Sequence, residues 1–215
     1  MPPIAVADEV TPSSVTVHAA TAAGTNESVY VFDFEYNIAG TVRLSVPPLP
    51  TGTRLTLRFS EILIGLGGLI QNTYCSWPCP TTCGQADGGN CANQTDTYTS
   101  NGVAAQWQPL HTYHGFRYMQ LEGWPSDAAA PTKATATALF MRTLVKSTGS
   151  VKFPHSPILN KIQAAIVRTQ ASNLHSIPTD CPQREKRGWM GDAQWTAGQA
   201  SLTFDMTSFY HNYVR

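Results

Sequence analysis

Three carboxylates are concentrated within residues 179–194 of a 215-residue chain in which charged residues make up only 13%. Asp180, Glu185 and Asp192 are interleaved with a proline and two glycines, a pattern that favours a shaped loop over an amphipathic helix. Loops of this kind commonly carry function, and grouped carboxylates are the residues that general acid and base chemistry requires. We therefore interpret residues 179–194 as one half of an active site.

Glycoside hydrolysis is one reaction that such acids perform. Protonation of a departing glycosidic oxygen near neutral pH requires a carboxyl group with a raised pKa; neighbouring carboxylates act in that direction and neighbouring cations in the opposite one. An inverting reaction also needs a second carboxylate, roughly 6.5 to 9.5 Å from the first, to activate water across the sugar.

Each of these residues also has an ordinary structural interpretation. By itself, Glu185 is a solvated turn charge, Asp192 is a helix N-cap, and Trp189 is a core or interdomain contact. Cys181 lies in the same stretch, and His175 is the only potential base close to it in sequence. A buried structural thiol is therefore favoured over a nucleophile at that position.

Overall charge and hydropathy narrow the classes of partner. The 14 basic residues balance the 14 acidic ones, so neither nucleic acid nor an acidic membrane surface is predicted as a partner, whereas neutral sugars fit. The apolar runs are too short to span a bilayer, and the N-terminus lacks a signal-peptide pattern, so any export signal is expected to have been removed or to lie upstream. His111 and His114 are interpreted as structural residues, and no metal site is predicted.

Four of the five cysteines are clustered in a glycine-rich region: Cys75, Cys79, Cys83 and Cys91. They allow three disulfide pairings; disulfides are favoured over zinc because the cluster has no CxxC pair and no intervening histidine. Asn26 and Asn93 begin N-glycosylation triplets. Together these features predict an oxidising, extracellular or secretory compartment.

The pattern of the chain up to residue 150 is typical of a mainly β domain. Residues 1–28 have no clear period and are left as a ragged edge strand or tail. Residues 29–150 alternate apolar and polar positions over five to eight short strands, with a candidate turn at residues 37–40 and a cysteine-rich insertion at residues 65–91. This spacing predicts an antiparallel β-sandwich.

Residues 151–215 follow a helical pattern and are assigned to a second domain that is cut off near its beginning. A serine and a proline at 156–157 start a helix that is expected to run to about Ser172. Asp192 and Asp205 are candidate caps of two further helices. The last helix has an aromatic stripe with little sequence left to cover it, which predicts self-association.

Several motifs resemble one known family. The motif TDCPQREKRGWMGDAQ, preceded by NLHSIP and followed by LTFDMTSFYHNYV, resembles the signature of inverting α-L-rhamnosidases of bacteria and fungi. VFDFEYNIAGTVRL, GTRLTLRFSEIL, TDTYTS and WQPLHTYHGFRYMQLEG resemble the β-sandwich that precedes their catalytic domain. The resemblance covers roughly residues 29–215. It implies a concanavalin-like or jelly-roll sandwich followed by the first helices of an (α/α)6 barrel.

The resemblance also implies roles for single residues. Glu185 would be the general acid, because it precedes Trp189 by four residues and Asp192 by seven, as in the family. Asp180, Arg184 and Asp192 would hold the substrate, and Trp189 would form a wall for a terminal L-rhamnose ring. No cofactor is implied.

Two points limit the implied activity. Aligning the motif on Arg184 would place Lys186 at the position of the acid; Glu185 is preferred because an ammonium group does not readily replace a carboxylic acid. The family's general base is expected beyond residue 215, so the chain alone is expected to be feeble or inactive. Two hypotheses follow: a glycoside hydrolase that releases terminal α-L-rhamnose with inversion, or a non-catalytic carbohydrate-binding protein derived from one.

Overall fold

The computed structural model describes residues 1–19, 28–63 and 92–215. The strands before the helical region are β1 Ile4–Val10, β2 Ser14–Ala19, β3 Ser28–Val46, β4 Arg54–Ser60, β5 Thr95–Thr99, β6 Ala105–Trp107, β7 His114–Glu122 and β8 Ala136–Thr143. A short 3-10 turn, Lys133–Thr135, leads into β8. The predicted mainly β architecture is confirmed.

The strands form one curled antiparallel sheet with the order β1-β8-β3-β7-β4-β5, and β2 and β6 also pair with β3. The 19-residue β3 therefore connects the whole sheet. Its register against β7 shifts between Asp33 and Ile38, and Glu35 adopts the left-handed conformation with φ 74°. The turn predicted at residues 37–40 is wrong, because this stretch pairs with β7 and the irregularity is absorbed as a bulge.

The core of the sheet follows the predicted alternation in β4 but not in β7. Leu55, Leu57 and Phe59 are buried together, as expected for one face of β4. In β7, however, Phe116 and Met119 are both fully buried, although residues three apart in a regular strand lie on opposite faces. Both residues belong to the same core cluster, and the register of β7 against β3 shifts between them.

The helical region contains α1 Pro157–Ser172, a small hairpin of β9 Leu174–His175 and β10 Ile177–Pro178, then α2 Met190–Thr203 and α3 Thr207–Tyr213. The start of α1 is confirmed, because the Ser156 hydroxyl accepts the Leu159 N–H at 3.4 Å. Asp192 does not cap α2: the Ala193 N–H bonds the Trp189 carbonyl at 3.1 Å, so the first helical turn already contains Asp192.

A second hydrophobic cluster joins the helices to the end of the sheet domain. Its buried members are Val145, Ala171, Leu174, Ala200, Phe204, Met206 and Phe209. The expectation that the aromatic stripe of α3 is uncovered is wrong for Phe209, which is 0% exposed in this cluster. Large exposed apolar side chains lie instead on α1 and α2, among them Ile162 and Trp195. Self-association itself stays a prediction.

Several sequence predictions fall outside the described residues or stay untested. The four clustered cysteines and Asn26 are in the first group, so the disulfides and this glycosylation site stay predictions. Asn93 is exposed just before β5. In the described ranges, no helix has the length and apolar character needed to cross a membrane.

Gly40 provides a test of the sheet packing. A Cβ atom at this position of β3 would lie 1.8 Å from the Leu139 carbonyl oxygen of β8, so the paired backbones would have to separate. We expect Gly40→Ala to lower the free energy of unfolding by about 2 kcal/mol or more in urea titrations. Gly198→Ala in α2 is the matched control: open space surrounds its Cβ, and the loss of glycine should raise stability by about 0.5–1 kcal/mol. An unchanged midpoint for Gly40→Ala would contradict the described register.

Candidate active site

Asp180 closes the loop formed by residues 179–189, which connects β10 to α2 and is called here the acid loop. The Asp180 N–H donates to the Arg187 carbonyl at 2.9 Å, and the Arg187 N–H donates back to Asp180 Oδ1 at 2.8 Å. The Cys181 thiol donates to Asp180 Oδ2 at 3.0 Å. Both carboxylate oxygens of Asp180 therefore stabilise the shape of the loop.

Cys181 is built into the acid loop as a structural thiol. Its sulfur accepts the Glu185 N–H at 3.3 Å and thereby fixes the backbone of Glu185 relative to the start of the loop. Burial, with the hydrogen bond to Asp180, raises the pKa of the thiol. His175, the sequence candidate for an activating base, stacks instead on the Tyr113 ring. This geometry favours the structural role over the nucleophilic one.

Glu185 is held by two neighbours on the same loop. Arg184 Nη2 donates to Glu185 Oε1 at 3.1 Å, and Trp189 Nε1 donates to Glu185 Oε2 at 2.9 Å. The carboxylate is partly exposed, and Trp189 is 51% exposed. Three of the residues predicted from sequence thus form one hydrogen-bonded group.

Lys186 directs its charge away from Glu185 and toward the sheet. It adopts a left-handed backbone with φ 55°, and its ammonium group donates to the Tyr113 carbonyl and lies 4.3 Å from the centre of the Tyr113 ring. The His175 ring stacks on Tyr113 at 4.0 Å with an interplanar angle of 6°, so Lys186 must occupy the opposite ring face. Burial lowers the pKa of Lys186; burial, followed by the charge of Lys186, lowers the pKa of His175 to about 4.

The acid loop also packs directly against the backbone of β7. A Cβ atom on Gly115 would lie 2.8 Å from both the Cβ and the backbone nitrogen of Gln183, so only glycine allows this approach. The adjacent His114 is buried, with one ring nitrogen 3.0 Å from Gln94 Oε1 and the other 2.9 Å from Asp96 Oδ2. His114 is therefore a hydrogen-bonded structural residue that stiffens the platform under the loop.

A cleft of about 850 Å³ lies between α1 and α2, and we call it the acid cleft. Asp180 and Asp192 line it, together with apolar residues of α1 such as Ile162 and Ile166. Arg184, Glu185 and Trp189 are not among its lining residues. The structure thus divides the predicted site into two aspartates in the cleft and a hydrogen-bonded group around Glu185 on the adjoining loop.

Trp195 lines the same cleft and is 90% exposed, although sequence analysis assigned it no site role. Its position three residues after Asp192 on a helix was the available signal, because residues with this spacing share a helix face. Exposed aromatic rings beside polar groups are suited to packing against sugar rings. Trp195 is therefore a second candidate for the wall that the sequence assigned to Trp189.

Comparison with known proteins agrees with the fold. The model of the bacterial α-L-rhamnosidase concanavalin-like domain matches residues 23–142, more than half of the chain. The chain belongs to the bacterial α-L-rhamnosidase family. The model of the six-hairpin glycosidase domain of bacterial α-L-rhamnosidases matches residues 146–215 of this rhamnosidase-family chain. The resemblance to this family is confirmed, as is the prediction that the first helices of a helical domain follow the β domain.

Individual relatives of this rhamnosidase-family chain are much longer than it is. An α-L-rhamnosidase of Formosa agariphila is 31% identical over 86% of this chain and 18% of its own length. The solved α-L-rhamnosidase of Dictyoglumus thermophilum has a TM-score of 0.81 and 33% identity over 99% of this chain and 21% of its own. The Streptomyces avermitilis enzyme, solved with L-rhamnose, has a TM-score of 0.81 and 30% identity over 98% and 18%. The rhamnosidase-family chain thus spans about a fifth of these relatives.

The buried stack beneath the acid loop predicts a pH dependence of stability. The pKa of His175 is about 4 in the folded chain and 6.5 without the fold. As the pH falls from 6.5 toward 4, His175 is therefore protonated in the unfolded chain but not in the folded one, and stability is lost. Between pH 7 and pH 5 the parent chain should lose unfolding free energy on the order of 2 kcal/mol through His175. His175→Phe keeps a ring on Tyr113 and should abolish this loss.

Urea unfolding at several pH values measures this difference. His155→Gln, a change at an exposed histidine just before α1, is the control and should keep the parent slope. Equal slopes for the parent and His175→Phe would show that His175 is not kept neutral by the stack.

Proposed function

We propose that this chain supplies the acid-bearing and sugar-holding side of a site that releases terminal α-L-rhamnose from glycosides or polysaccharides, with inversion and without a cofactor. One observation carries the proposal: Glu185 is held by Arg184 and Trp189 on the same short loop that presents Asp180 to the acid cleft. Membership of the rhamnosidase family supports the reaction type.

In this proposal Glu185 is the general acid. As the bond between the anomeric carbon and the glycosidic oxygen breaks, Glu185 gives its proton to the departing oxygen and becomes a carboxylate. The Arg184 guanidinium and the Trp189 indole N–H already point at its two oxygens and would stabilise the new negative charge. Lys186 is bound to Tyr113 and does not compete for this carboxylate.

The aspartates and aromatic rings take the binding role. Asp192 lies in the first turn of α2 and lines the cleft, where its oxygens can accept hydrogen bonds from sugar hydroxyls. Asp180 has both oxygens engaged within the loop, so we assign it mainly to positioning. We propose that the water-activating carboxylate lies outside these 215 residues, in a part that corresponds to the unaligned length of the longer relatives.

The first test of the mechanism is Glu185→Gln. We expect this change to reduce hydrolysis of 4-nitrophenyl α-L-rhamnoside at least about a hundredfold, since a glutamine amide cannot donate the proton and general acid catalysis contributes 10²–10⁴-fold. The assay compares the 215-residue chain with the product of the complete reading frame that encodes it, each with and without the change.

Glu61→Gln is a matched control for Glu185→Gln, because it removes a carboxylate from the residue just after β4, outside the acid loop. It should leave turnover within about twofold. Activity that survives Glu185→Gln would overturn the assignment of the acid.

The second test concerns the wall of the cleft. We expect Trp195→Ala to weaken L-rhamnose binding about tenfold, because loss of an aromatic face from a sugar contact removes packing area, while stability stays nearly constant at so exposed a position. Titration of the chain with L-rhamnose by calorimetry measures the change. Leu202→Ala, at a similarly exposed position on α2 that does not line the cleft, should bind as the parent does. Equal affinity of Trp195→Ala and the parent would remove Trp195 from the proposed site.

A carbohydrate-binding function without turnover is the second candidate. It is favoured by one observation: both Glu185 oxygens are engaged in hydrogen bonds, and Glu185 does not line the acid cleft. L-Rhamnose binding that depends on Trp195, without hydrolysis by the chain or by the product of the complete reading frame, would establish this alternative.

A further inference from the structure

A second cleft, of about 760 Å³, lies between α1 and the part of the sheet formed by β1, β8 and β3, and we call it the basic cleft. Ala164 and Arg168 are among the α1 residues that line it, whereas Ile162 and Ile166 line the acid cleft. Because successive helical residues are rotated by about 100°, these two pairs occupy opposite faces of α1. The two clefts are therefore separated by the thickness of one helix.

Three cations converge on the basic cleft: Arg142 from β8, Lys152 from the segment before α1, and Arg168 from α1. The only carboxylate among its described lining residues is Asp8 at the sheet edge, which accepts the Glu9 N–H at 2.9 Å. Within residues 1–19, 28–63 and 92–215, none of the three cations forms an ion pair. An anion placed among them would reduce their mutual repulsion.

Both arginines are held in place before any ligand arrives. The Arg168 guanidinium lies 3.9 Å above the centre of the Tyr36 ring, so the ring covers one face of the guanidinium. The N–H groups at the edge of the guanidinium have no acceptor in the described part of the chain. Arg142 donates from Nη1 to the carbonyls of Thr143 at 3.1 Å and Val145 at 3.3 Å, and burial lowers its pKa. Fixed guanidinium groups lose little conformational entropy on binding an anion.

We propose that the basic cleft binds a carboxylate-bearing sugar, that is, a uronic acid residue of a glycan. The planar fork of an arginine matches a carboxylate in a bidentate geometry. Phe140 and Tyr36 supply aromatic surface in the same cleft, and Gln163 supplies an amide group that can pair with hydroxyls. The site uses none of the residues assigned to the acid, so it stands apart from the proposed hydrolysis.

Calorimetric titration of the 215-residue chain with sodium D-glucuronate, D-glucose and sodium acetate tests the ligand class. Glucuronate should bind at least about tenfold more tightly than either of the others, since glucose lacks the charge and acetate lacks the sugar ring. Equal affinity for glucose and glucuronate would overturn the role of the cations. Equal affinity for acetate and glucuronate would overturn the role of the sugar.

Variants locate the site. Arg168→Gln should weaken glucuronate binding about tenfold, and Lys152→Gln, at an exposed position, severalfold. Lys161→Gln removes an equal charge from α1 outside the basic cleft and should change affinity less than twofold. Parent-like binding by both Arg168→Gln and Lys152→Gln would place the ligand elsewhere and overturn the proposal.

Glu185→Gln separates this inference from the proposed hydrolysis. Because Glu185 does not line the basic cleft, this variant should bind glucuronate as the parent does, whatever the outcome of the hydrolysis assay. Loss of glucuronate binding in Glu185→Gln would place the carboxylate site at the acid loop and overturn the assignment to the basic cleft.

Discussion

The Tyr113 side chain connects the two parts of the molecule, because its ring is enclosed between the Lys186 ammonium and the His175 imidazole. Lys186 comes from the acid loop, His175 from β9, and Tyr113 from the residue before β7. A cation held this way loses hydration, which its contacts with the ring and the Tyr113 carbonyl must offset. The acid loop thus takes its position from the sheet domain, and Glu185 is adjacent in sequence to that anchor.

The sequence predicted those elements whose pattern is enforced by burial on one face. Leu55, Leu57 and Phe59 alternate because one face of β4 packs into the core, and this part was right. The turn expected at residues 37–40 was wrong because polar residues and a glycine look alike in a turn and in a bulge. Pairing with β7 decides between a turn and a bulge, and the local sequence does not show which distant strand will pair with it.

The same limit applies within the candidate site. Residue types and family spacing selected Asp180, Glu185 and Asp192 as a group, but their directions depend on contacts made in three dimensions. Asp180 turns into its own loop to accept the Arg187 N–H, and Lys186 reaches a carbonyl 73 residues away. Sequence spacing could therefore identify the stretch, but not that Asp180, which lines the acid cleft together with Asp192, also shapes the loop.

Net charge illustrates why a global quantity says little about local recognition. Balanced charges argue against a polyanion as a general partner, yet Arg142 and Arg168 line a common cleft and form no ion pair in the described ranges. Acidic residues that offset these arginines in the net charge form their ion pairs elsewhere on the sheet: Glu9 with Arg43, and Asp33 with Arg117. Because electrostatic attraction at a surface decays within about 10 Å in ordinary salt, the local arrangement decides what each cleft attracts. An acidic sugar and a neutral one can therefore both be suited to a chain whose formal charge is zero.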